Sequence, residues 1–227
     1  MRLITIDCES TGIDPAVDKI VEIAAVWDDP RKGRYEVAEL CNPGMEIPPP
    51  AMAIHHITDE MVYFSNEPQV VLDDILCQIG ADDLIFVAHN AEFDKGMLGA
   101  IYPKLKEKPW ICTWRCAMHL WPDAPSHSNQ SLRYWLKLSP VLPEGLYPHR
   151  ALYDTIVTRA ILDKMFETHT LEQLIELSTQ PVLQKTIRFG KHRGMLWSDV
   201  PRDYLQWLSR QDMDMDVLHT ARHWLRK

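Results

Sequence analysis

The chain has 227 residues, of which 46% are hydrophobic and 25% charged, a composition typical of a globular protein with one substantial core or one core plus a small appendage. No apolar run approaches the roughly 20 residues that a membrane-spanning helix needs, and the first residues already form a strand-like segment, so we expect neither a membrane span nor a signal peptide and place the chain in the cytoplasm. The formal charge of −8 argues mildly against a protein that coats nucleic acid.

The charge is unevenly distributed along the chain. Residues 1–179 carry 15 Lys and Arg against 27 Asp and Glu, whereas residues 180–227 carry 9 against 5. The tail is therefore electropositive, and the two parts are expected to have different roles.

The first predicted strand, residues 4–9, ends in two acids and is followed by Ser10, Thr11 and Gly12. Because side chains alternate along a strand, Asp7 and Glu9 lie on the same face. Two adjacent carboxylates repel each other unless a positive charge joins them, which favours a hard divalent cation such as Mg²⁺ or Mn²⁺. The alternative is a strand end with two solvated acids.

Further strands are predicted at residues 19–27 and 34–41, separated by a turn at 29–33, and with the first strand they should form an antiparallel meander. A short helix is expected at 51–58, after three prolines, and a second at 68–79, where apolar residues recur with helical spacing. Residues 84–88 are predicted to form a buried strand.

From that strand onward the pattern changes to strand–helix units. We predict a helix at 91–102, a strand at 110–112, and helices at 113–121, 128–138 and 149–166. Hairpin strands followed by such units predict an α/β fold: a mixed five-stranded sheet flanked by helices, with the first strand at the centre.

The character changes again beyond residue 176, so we divide the chain into residues 1–178 and a small C-terminal module, residues 179–227. A basic hairpin is expected at 185–195 and helices at 204–208 and 213–225. This module is too short to have much core of its own, and we expect it to pack on the main domain or on its partner.

The five cysteines are scattered and odd in number, which argues against a disulfide framework. Cys112 and Cys116, with His119 nearby, are compatible with a zinc site. The favoured interpretation is that both are small buried hydrophobes, because no second ligand pair follows.

Two further motifs place acids in the first turn of predicted helices. Asp94 follows the buried strand, and Asp154 follows His149 by five residues, a little over one helical turn. Each alone has a plain alternative, since acids are favoured at helix starts by the macrodipole, and His149 alone could be an ordinary loop histidine. We expect His89, near Asp94, to make a structural hydrogen bond.

If these helices flank the first strand, Asp7, Glu9, Asp94 and Asp154 converge. Two divalent cations about 3.5 to 4 Å apart would balance four carboxylates, and such a site suits hydrolysis of a phosphodiester. His149 is then the candidate general base, because the unperturbed pKa of imidazole lies near working pH.

The motifs Asp-x-Glu-Ser-Thr-Gly, His-Asn-x-x-Phe-Asp and His-x-Ala-x-x-Asp, in this order, resemble the three exonuclease motifs of the histidine-containing branch of the DEDD family. Residues 51–58, 110–113 and 189–194 extend the resemblance to the bacterial exodeoxyribonuclease X family. It implies a ribonuclease-H-like fold and a 3′-to-5′ exonuclease that releases nucleoside 5′-monophosphates from single-stranded or overhanging DNA ends. It also implies that the four acids bind metal, two Mg²⁺ with Mn²⁺ as a possible substitute, and that His149 is the base.

The resemblance further assigns the substrate contacts. Thr11, Gly12 and Ile13 match the turn that contacts the terminal nucleotides, with Ile13 wedged against the last bases. His55 lies where the family holds the terminal nucleotide, and Asn90, next to the third motif, is a further candidate substrate contact. For His55 and Ile13 the alternatives are packing and core positions. Such contacts tolerate any sequence, as trimming of ends requires.

Four basic residues of the tail, Lys185, Arg188, Lys191 and Arg193, are candidate contacts to the DNA backbone; the alternative is a solvated hairpin that balances the acidic main domain. Two other functions remain open: an RNA 3′-end trimming enzyme or polymerase proofreading subunit of the same family, and a catalytically silent nucleic-acid-binding module. The basic tail favours a free-standing enzyme, and the intact set of carboxylates disfavours the silent module.

Overall fold

The computed structural model describes residues 2–80 and 83–227, and within them the chain forms a five-stranded mixed sheet. The strands are β1 (Arg2–Ser10), β2 (Ile20–Asp29), β3 (Gly33–Leu40), β4 (Leu84–Ala88) and β5 (Trp110–Cys112). Their order in the sheet is β3-β2-β1-β4-β5, so the prediction of a mixed sheet with the first strand at its centre is confirmed.

The register of β1 decides where the paired acids Asp7 and Glu9 project. β1 pairs antiparallel with β2, with Glu9 opposite Glu22, and parallel with β4 only as far as the pair Thr5–Val87. Asp7 and Glu9 therefore extend past their last partner on β4. They lie at the edge of the sheet where parallel strands end, which is where α/β sheets form their ligand sites.

The helices observed in the same ranges are α1 (Pro49–His55), α2 (Asp59–Val62), α3 (Pro68–Ile79), α4 (Glu92–Ile101), α5 (Thr113–Leu120), α6 (Asn129–Trp135), α7 (Ala151–Phe166), α8 (Leu171–Thr179), α9 (Arg202–Leu208) and α10 (Met215–Arg226). Helix α1 begins within the proline run and not after it, because Pro49 and Pro50 form its first turn, where proline lacks only a donor that the helix would not use.

Two hydrophobic layers cover the two faces of the sheet. Ile4, Ile6 and Cys8 of β1 pack with α3 and α4, whereas Ile85 and Val87 of β4 pack with α5 and α7 on the other face. Since side chains alternate along a strand, the face opposite Ile6 and Cys8 receives Asp7 and Glu9. The acids thus project toward the side that α7 covers.

Sequence reasoning missed helix α8, which the residues nevertheless specify. Thr170 accepts a hydrogen bond from the N–H of Gln173, and the Gln173 side chain accepts one from the N–H of Thr170, forming a capping box. The helix ends at Thr179, next to the boundary predicted between residues 178 and 179, which stays a prediction.

The C-terminal module differs from expectation in two respects. The segment 185–195 is closed like a hairpin but by a single bridge, Thr186 to Leu196, with a 3-10 turn at Gly190–His192 in place of extended strands. The module also has a hydrophobic cluster of its own, centred on Trp197 and packed between α9 and α10. The expectation of a nearly coreless module was wrong, because its aromatic and leucine side chains pack on each other.

A buried ion pair joins the module to the main domain. The guanidinium of Arg115 in α5 donates two hydrogen bonds of 3.0 Å to the carboxylate of Asp216 in α10, which also accepts one from the N–H of Val182. Among residues 2–80 and 83–227, none of the helices is both long and apolar enough to cross a bilayer.

Candidate active site

Three of the four predicted metal ligands meet at the edge of the sheet. Asp7 and Glu9 from β1 and Asp154 from the first turn of α7 each offer a carboxylate oxygen, and these oxygens lie within 4.8 Å of one another. All three residues are half-buried. Hard oxygen donors gathered in this way suit Mg²⁺ or Mn²⁺, so the residues present fit the divalent metal that the motifs imply.

The fourth acid, Asp94, lies beside this group but is oriented by the backbone. It is 1% exposed, in the first turn of α4, and its Oδ1 accepts a hydrogen bond of 3.0 Å from the N–H of Cys8. That bond anchors the carboxylate to the residue that lies between Asp7 and Glu9 in the chain. The charge of Asp94 is felt there, since it is among the causes that raise the pKa of Asp7.

The raised pKa values of the carboxyl groups in the cluster indicate that their ionised forms require a compensating positive charge. Burial raises the pKa of Asp94 to about 8, and burial followed by the charges of Asp154 and Glu22 raises the pKa of Glu9 to about 8. Burial, then the charges of Asp94 and Glu9, raises the pKa of Asp7 well above its usual range. Without cations, Glu9 and Asp94 retain protons near neutral pH.

His149 stands next to the cluster in a left-handed backbone conformation, with φ of 65°. Its N–H donates a hydrogen bond of 2.9 Å to Oδ2 of Asp154, while Gln130 donates one of 3.2 Å to Oδ1. The residue is exposed at the surface. A positive φ is costly for a residue with a side chain and is commonest at functional positions.

A buried ion pair that sequence reasoning missed fixes the start of α7. Glu22 in β2 is 2% exposed; it accepts hydrogen bonds of 3.1 and 3.2 Å from Nε of Arg150 and one of 2.8 Å from the N–H of Ala151. Helix α7 thereby begins on a carboxylate, next to His149 and three residues before Asp154. The sequence feature that could have indicated this ion pair is that Glu22 is the single acid within the apolar run of residues 20–26.

The turn after β1 is held by its own side chains. Thr11 is buried, and its hydroxyl bonds Oδ1 of Asp18 at 3.1 Å and the N–H of Lys19 at 3.0 Å. A Cβ on Gly12 would lie 2.5 Å from the carboxylate of Asp18, so a larger residue there would displace the side chain that bonds Thr11. Ile13 is 87% exposed beyond this rigid turn, so the alternative of a core position for Ile13 does not apply.

The two predicted contacts to the terminal nucleotide differ in accessibility. His55 is buried, its Nδ1 accepts a hydrogen bond of 3.0 Å from the N–H of Ile57, and burial lowers its pKa. Asn90 is exposed at φ 70°. His89 makes the structural bonds expected of it: Nδ1 pairs with the hydroxyl of Thr113, and Nε2 donates to the carbonyl of His127, each at 2.9 Å.

The basic candidates of the tail separate into two places. Lys185 and Arg188 line a cleft against the main domain, whereas Lys191 lies over the ring of Tyr204 at 5.1 Å. Arg193 is exposed. Whether any of them contacts DNA stays a prediction.

The structure supports the packing interpretation for Cys112 and Cys116. Both are buried, and burial raises the pKa of each thiol. Sγ of Cys116 lies 3.4 Å from the carbonyl of Leu174, to which it donates. In the described parts of the chain, the group of metal-ligand side chains close enough to share an ion is that of Asp7, Glu9 and Asp154.

Comparison with known proteins identifies the family. Residues 4–162 match the family model RNase_T, described as Exonuclease. The chain is 37% identical over 227 residues to exodeoxyribonuclease 10 of Escherichia coli K12, with 97% of each chain covered. It is 31% identical to DNA polymerase III PolC-type of Bacillus subtilis, where the match covers 72% of this chain but 11% of the polymerase.

Solved structures agree with the sequence relatives. A structure described as exonuclease X in complex with 5′ overhanging duplex DNA matches with a TM-score of 0.64 and 36% identity, over 78% of this chain and 99% of that one. A structure of Escherichia coli exonuclease I in complex with a dA16 oligonucleotide matches with a TM-score of 0.57 and 17% identity, over 77% of this chain and 42% of that one. At this identity the match shows the fold alone. Enzymes of this family depend on divalent metal. The ribonuclease-H-like prediction and the motif resemblance are confirmed: the chain belongs to the exonuclease family and is a 3′-to-5′ exonuclease.

Proposed function

We propose that this exonuclease removes nucleotides from the 3′ ends of DNA, single-stranded or overhanging, and releases nucleoside 5′-monophosphates. The observation that carries the proposal is the convergence of Asp7, Glu9 and Asp154 within 4.8 Å, with Asp94 buried beside them. The match to an exodeoxyribonuclease over 97% of both chains supports DNA as the substrate.

The four carboxylates are proposed to hold two Mg²⁺ ions, with Mn²⁺ as a substitute. Held by these carboxylates, such ions would supply activation of a water and compensation of negative charge on the departing oxygen. The raised pKa values of Glu9 and Asp94 support this assignment, since a cluster that holds protons when alone releases them to cations.

His149 is proposed to accept the proton of the attacking water through its imidazole. Its backbone is held at both sides, by its own N–H bond to Asp154 and by the Arg150–Glu22 pair, while the residue stays exposed. The side chain is thus open to solvent and substrate on a fixed backbone. A base placed in this way serves general base catalysis.

Ile13 is proposed to pack against the terminal bases. Its side chain is 87% exposed at the tip of the turn that follows the proposed metal ligands, so it is free to contact a base that reaches them. Gly12 and Asn90 offer backbone and amide groups at the same edge, and Thr11 holds the turn in shape. His55 is buried in this structure, so its proposed contact to the terminal nucleotide requires that substrate binding expose it.

A single assay series tests this function. A 5′-labelled single-stranded DNA is incubated with Mg²⁺ and the wild type or the variants Asp7→Ala, Asp154→Ala and His149→Ala. The two aspartate variants should lose hydrolysis, and His149→Ala should be slowed by about 10²–10⁴-fold while still binding Mn²⁺ in calorimetry. Glu167→Gln, on the exposed end of α7, is the control. Full activity in any of the three would contradict the assignment.

The similarity to polymerases raises a second candidate function, that of a proofreading subunit. A third candidate, trimming of RNA 3′ ends, would use the same chemistry on another substrate. The chain matches 11% of the Bacillus polymerase, whereas its match to exodeoxyribonuclease 10 includes the C-terminal module. This supports a free-standing enzyme. Rates on matched DNA and RNA oligonucleotides decide the substrate, because the 2′-hydroxyl is what distinguishes them; faster cleavage of RNA would overturn the DNA proposal.

A further inference from the structure

A second concave site lies between the main domain and the C-terminal module. Helix α5 and the loop at 122–128 form one wall, and the segment 181–188 with α10 forms the other. The cleft has a volume of about 950 Å³, at the upper end of the range of about 300–1,000 Å³ in which proteins bind small molecules. It is large enough for at least one nucleotide.

The charge of this cleft is opposite to that of the whole protein. Lys185 and Arg188 line it, and the described residues that line it include no Asp or Glu, although the chain carries a net charge of −8. Asp216, in the first turn of α10, is not among the lining residues and is already bound by Arg115 and by the N–H of Val182. A cationic cleft in an acidic protein selects an anionic ligand.

The other lining groups fit the rest of a nucleotide. Trp114 from α5 and Trp224 from α10 border the cleft, and both are partly exposed. Ser126 and Ser128 offer hydroxyl groups on the rim, and Arg188 is exposed without an ion pair among residues 2–80 and 83–227. Flat aromatic faces beside phosphate-binding cations are the combination by which proteins hold single strands without reading sequence.

A short segment connects this cleft to the catalytic carboxylates. Ser128 lines the cleft, and two residues later Gln130 donates to Oδ1 of Asp154, while Asn129 donates to the carbonyl of Asp154 at 3.2 Å. Consecutive Cα atoms are about 3.8 Å apart, so the Cα atoms of Ser128 and Gln130 are at most about 7.6 Å apart. A strand whose 3′ end is at the carboxylates reaches the cleft within a few nucleotides.

We propose that this cleft binds the single-stranded segment of the substrate upstream of the 3′ end, with phosphates on Lys185 and Arg188 and a base against Trp224. The inference rests on the proposed function and adds a second substrate site to it. The C-terminal module then contributes directly to substrate binding, because it supplies the cations and one aromatic wall, while α5 supplies the other wall. Continuity with the active site favours a strand over a free nucleotide.

The test compares two lengths of oligothymidylate, about 4 and about 20 nucleotides, of which only the longer fills both sites. For Arg188→Glu and Trp224→Leu, the ratio of kcat/KM on the long substrate to that on the short one should fall about tenfold, through KM. Lys32→Glu is the matched control, because the β2–β3 turn lies at the end of the sheet opposite the carboxylates. An unchanged ratio in both cleft variants overturns the proposal.

Two further measurements remove the remaining ambiguity. For the long strand, Arg188→Gln should reduce the salt slope of log K by about 0.7, the contribution of one phosphate contact; an unchanged slope counts against the site. If thymidine 5′-monophosphate binds the wild type in calorimetry and Arg188→Glu abolishes that binding but leaves strand affinity intact, the cleft is a product site and the strand proposal is wrong. If wild type with Mg²⁺ hydrolyses neither the short nor the long substrate, the proposed function itself is refuted.

Discussion

Replacing Glu22 with leucine should both destabilise the fold and slow the enzyme. Glu22 is 2% exposed and satisfies Arg150 and the first N–H of α7, so its removal leaves a largely buried guanidinium without its carboxylate partner, with only the Tyr147 ring beside it. Breaking one side of a buried ion pair costs about 3–5 kcal/mol. For a chain of this size about 2–4 °C of melting temperature is lost per kcal/mol, so we expect a decrease of about 10 °C.

The activity should fall with the stability because Arg150 lies between His149 and Asp154 in the chain. With the pair broken, the proposed base His149 and the proposed metal ligand Asp154 lose their common support. The value of kcat should then fall at least about tenfold at temperatures where the protein is folded, since small misplacements of catalytic groups cost this much. Urea unfolding gives the free energy, and the assay on single-stranded DNA gives kcat.

A double-mutant cycle separates the pair from other effects. Glu22→Gln, Arg150→Gln and the double variant should show a coupling energy of about 1–3 kcal/mol, as contacting residues do. Glu167→Leu, which breaks the exposed Lys164–Glu167 pair, is the control and should change the free energy of unfolding by less than about 0.5 kcal/mol. A coupling energy near zero, or an unfolding free energy of Glu22→Leu within about 1 kcal/mol of wild type, would refute the reasoning.

Three other predictions follow from the site and the module. Asp94→Asn should abolish hydrolysis yet stabilise the metal-free protein: the folded-state pKa of Asp94 is about 8 against a usual 3.8, so the folded state holds the proton more tightly and stability in EDTA falls as pH rises from about 4 to about 8. The melting temperature at pH 8 in EDTA should therefore be higher for Asp94→Asn than for wild type, and the difference should be smaller at pH 5. A melting temperature of the variant below that of wild type at pH 8 would contradict the raised pKa. Gly12→Ala places a Cβ 2.5 Å from Asp18 and should cost about 1–3 kcal/mol of unfolding free energy, with kcat/KM reduced; activity within twofold of wild type would mean that the turn can shift freely. Arg115→Leu leaves the buried Asp216 carboxylate without its cation and should destabilise the module first, seen as early hydrogen exchange in residues 182–227; uniform exchange over the whole chain would contradict a separately opening module.

Several features of this protein can be predicted from short stretches of its sequence. The paired acids at Asp7 and Glu9 follow from strand alternation, and the acid in the first turn of α4 or α7 follows from helix starts. The meander of the first three strands follows from short turns, and the mixed sheet follows from the strand–helix units after it. These features depend on residues within a few positions of one another, so a pattern along the chain is enough to find them.

Only the tertiary structure decided which distant segments of the chain contact each other, because local sequence patterns do not specify such partners. Nothing near Glu22 indicates that its partner is Arg150, 128 residues away, and nothing near Cys8 indicates that its N–H orients Asp94. The basic tail predicted contact with DNA, but whether Lys185 and Arg188 face a cleft depends on how α10 packs against α5, which the Arg115–Asp216 pair fixes. The sequence by itself determined the chemistry of the site, whereas packing over long sequence distances determined which groups hold it in place and which surface adjoins it.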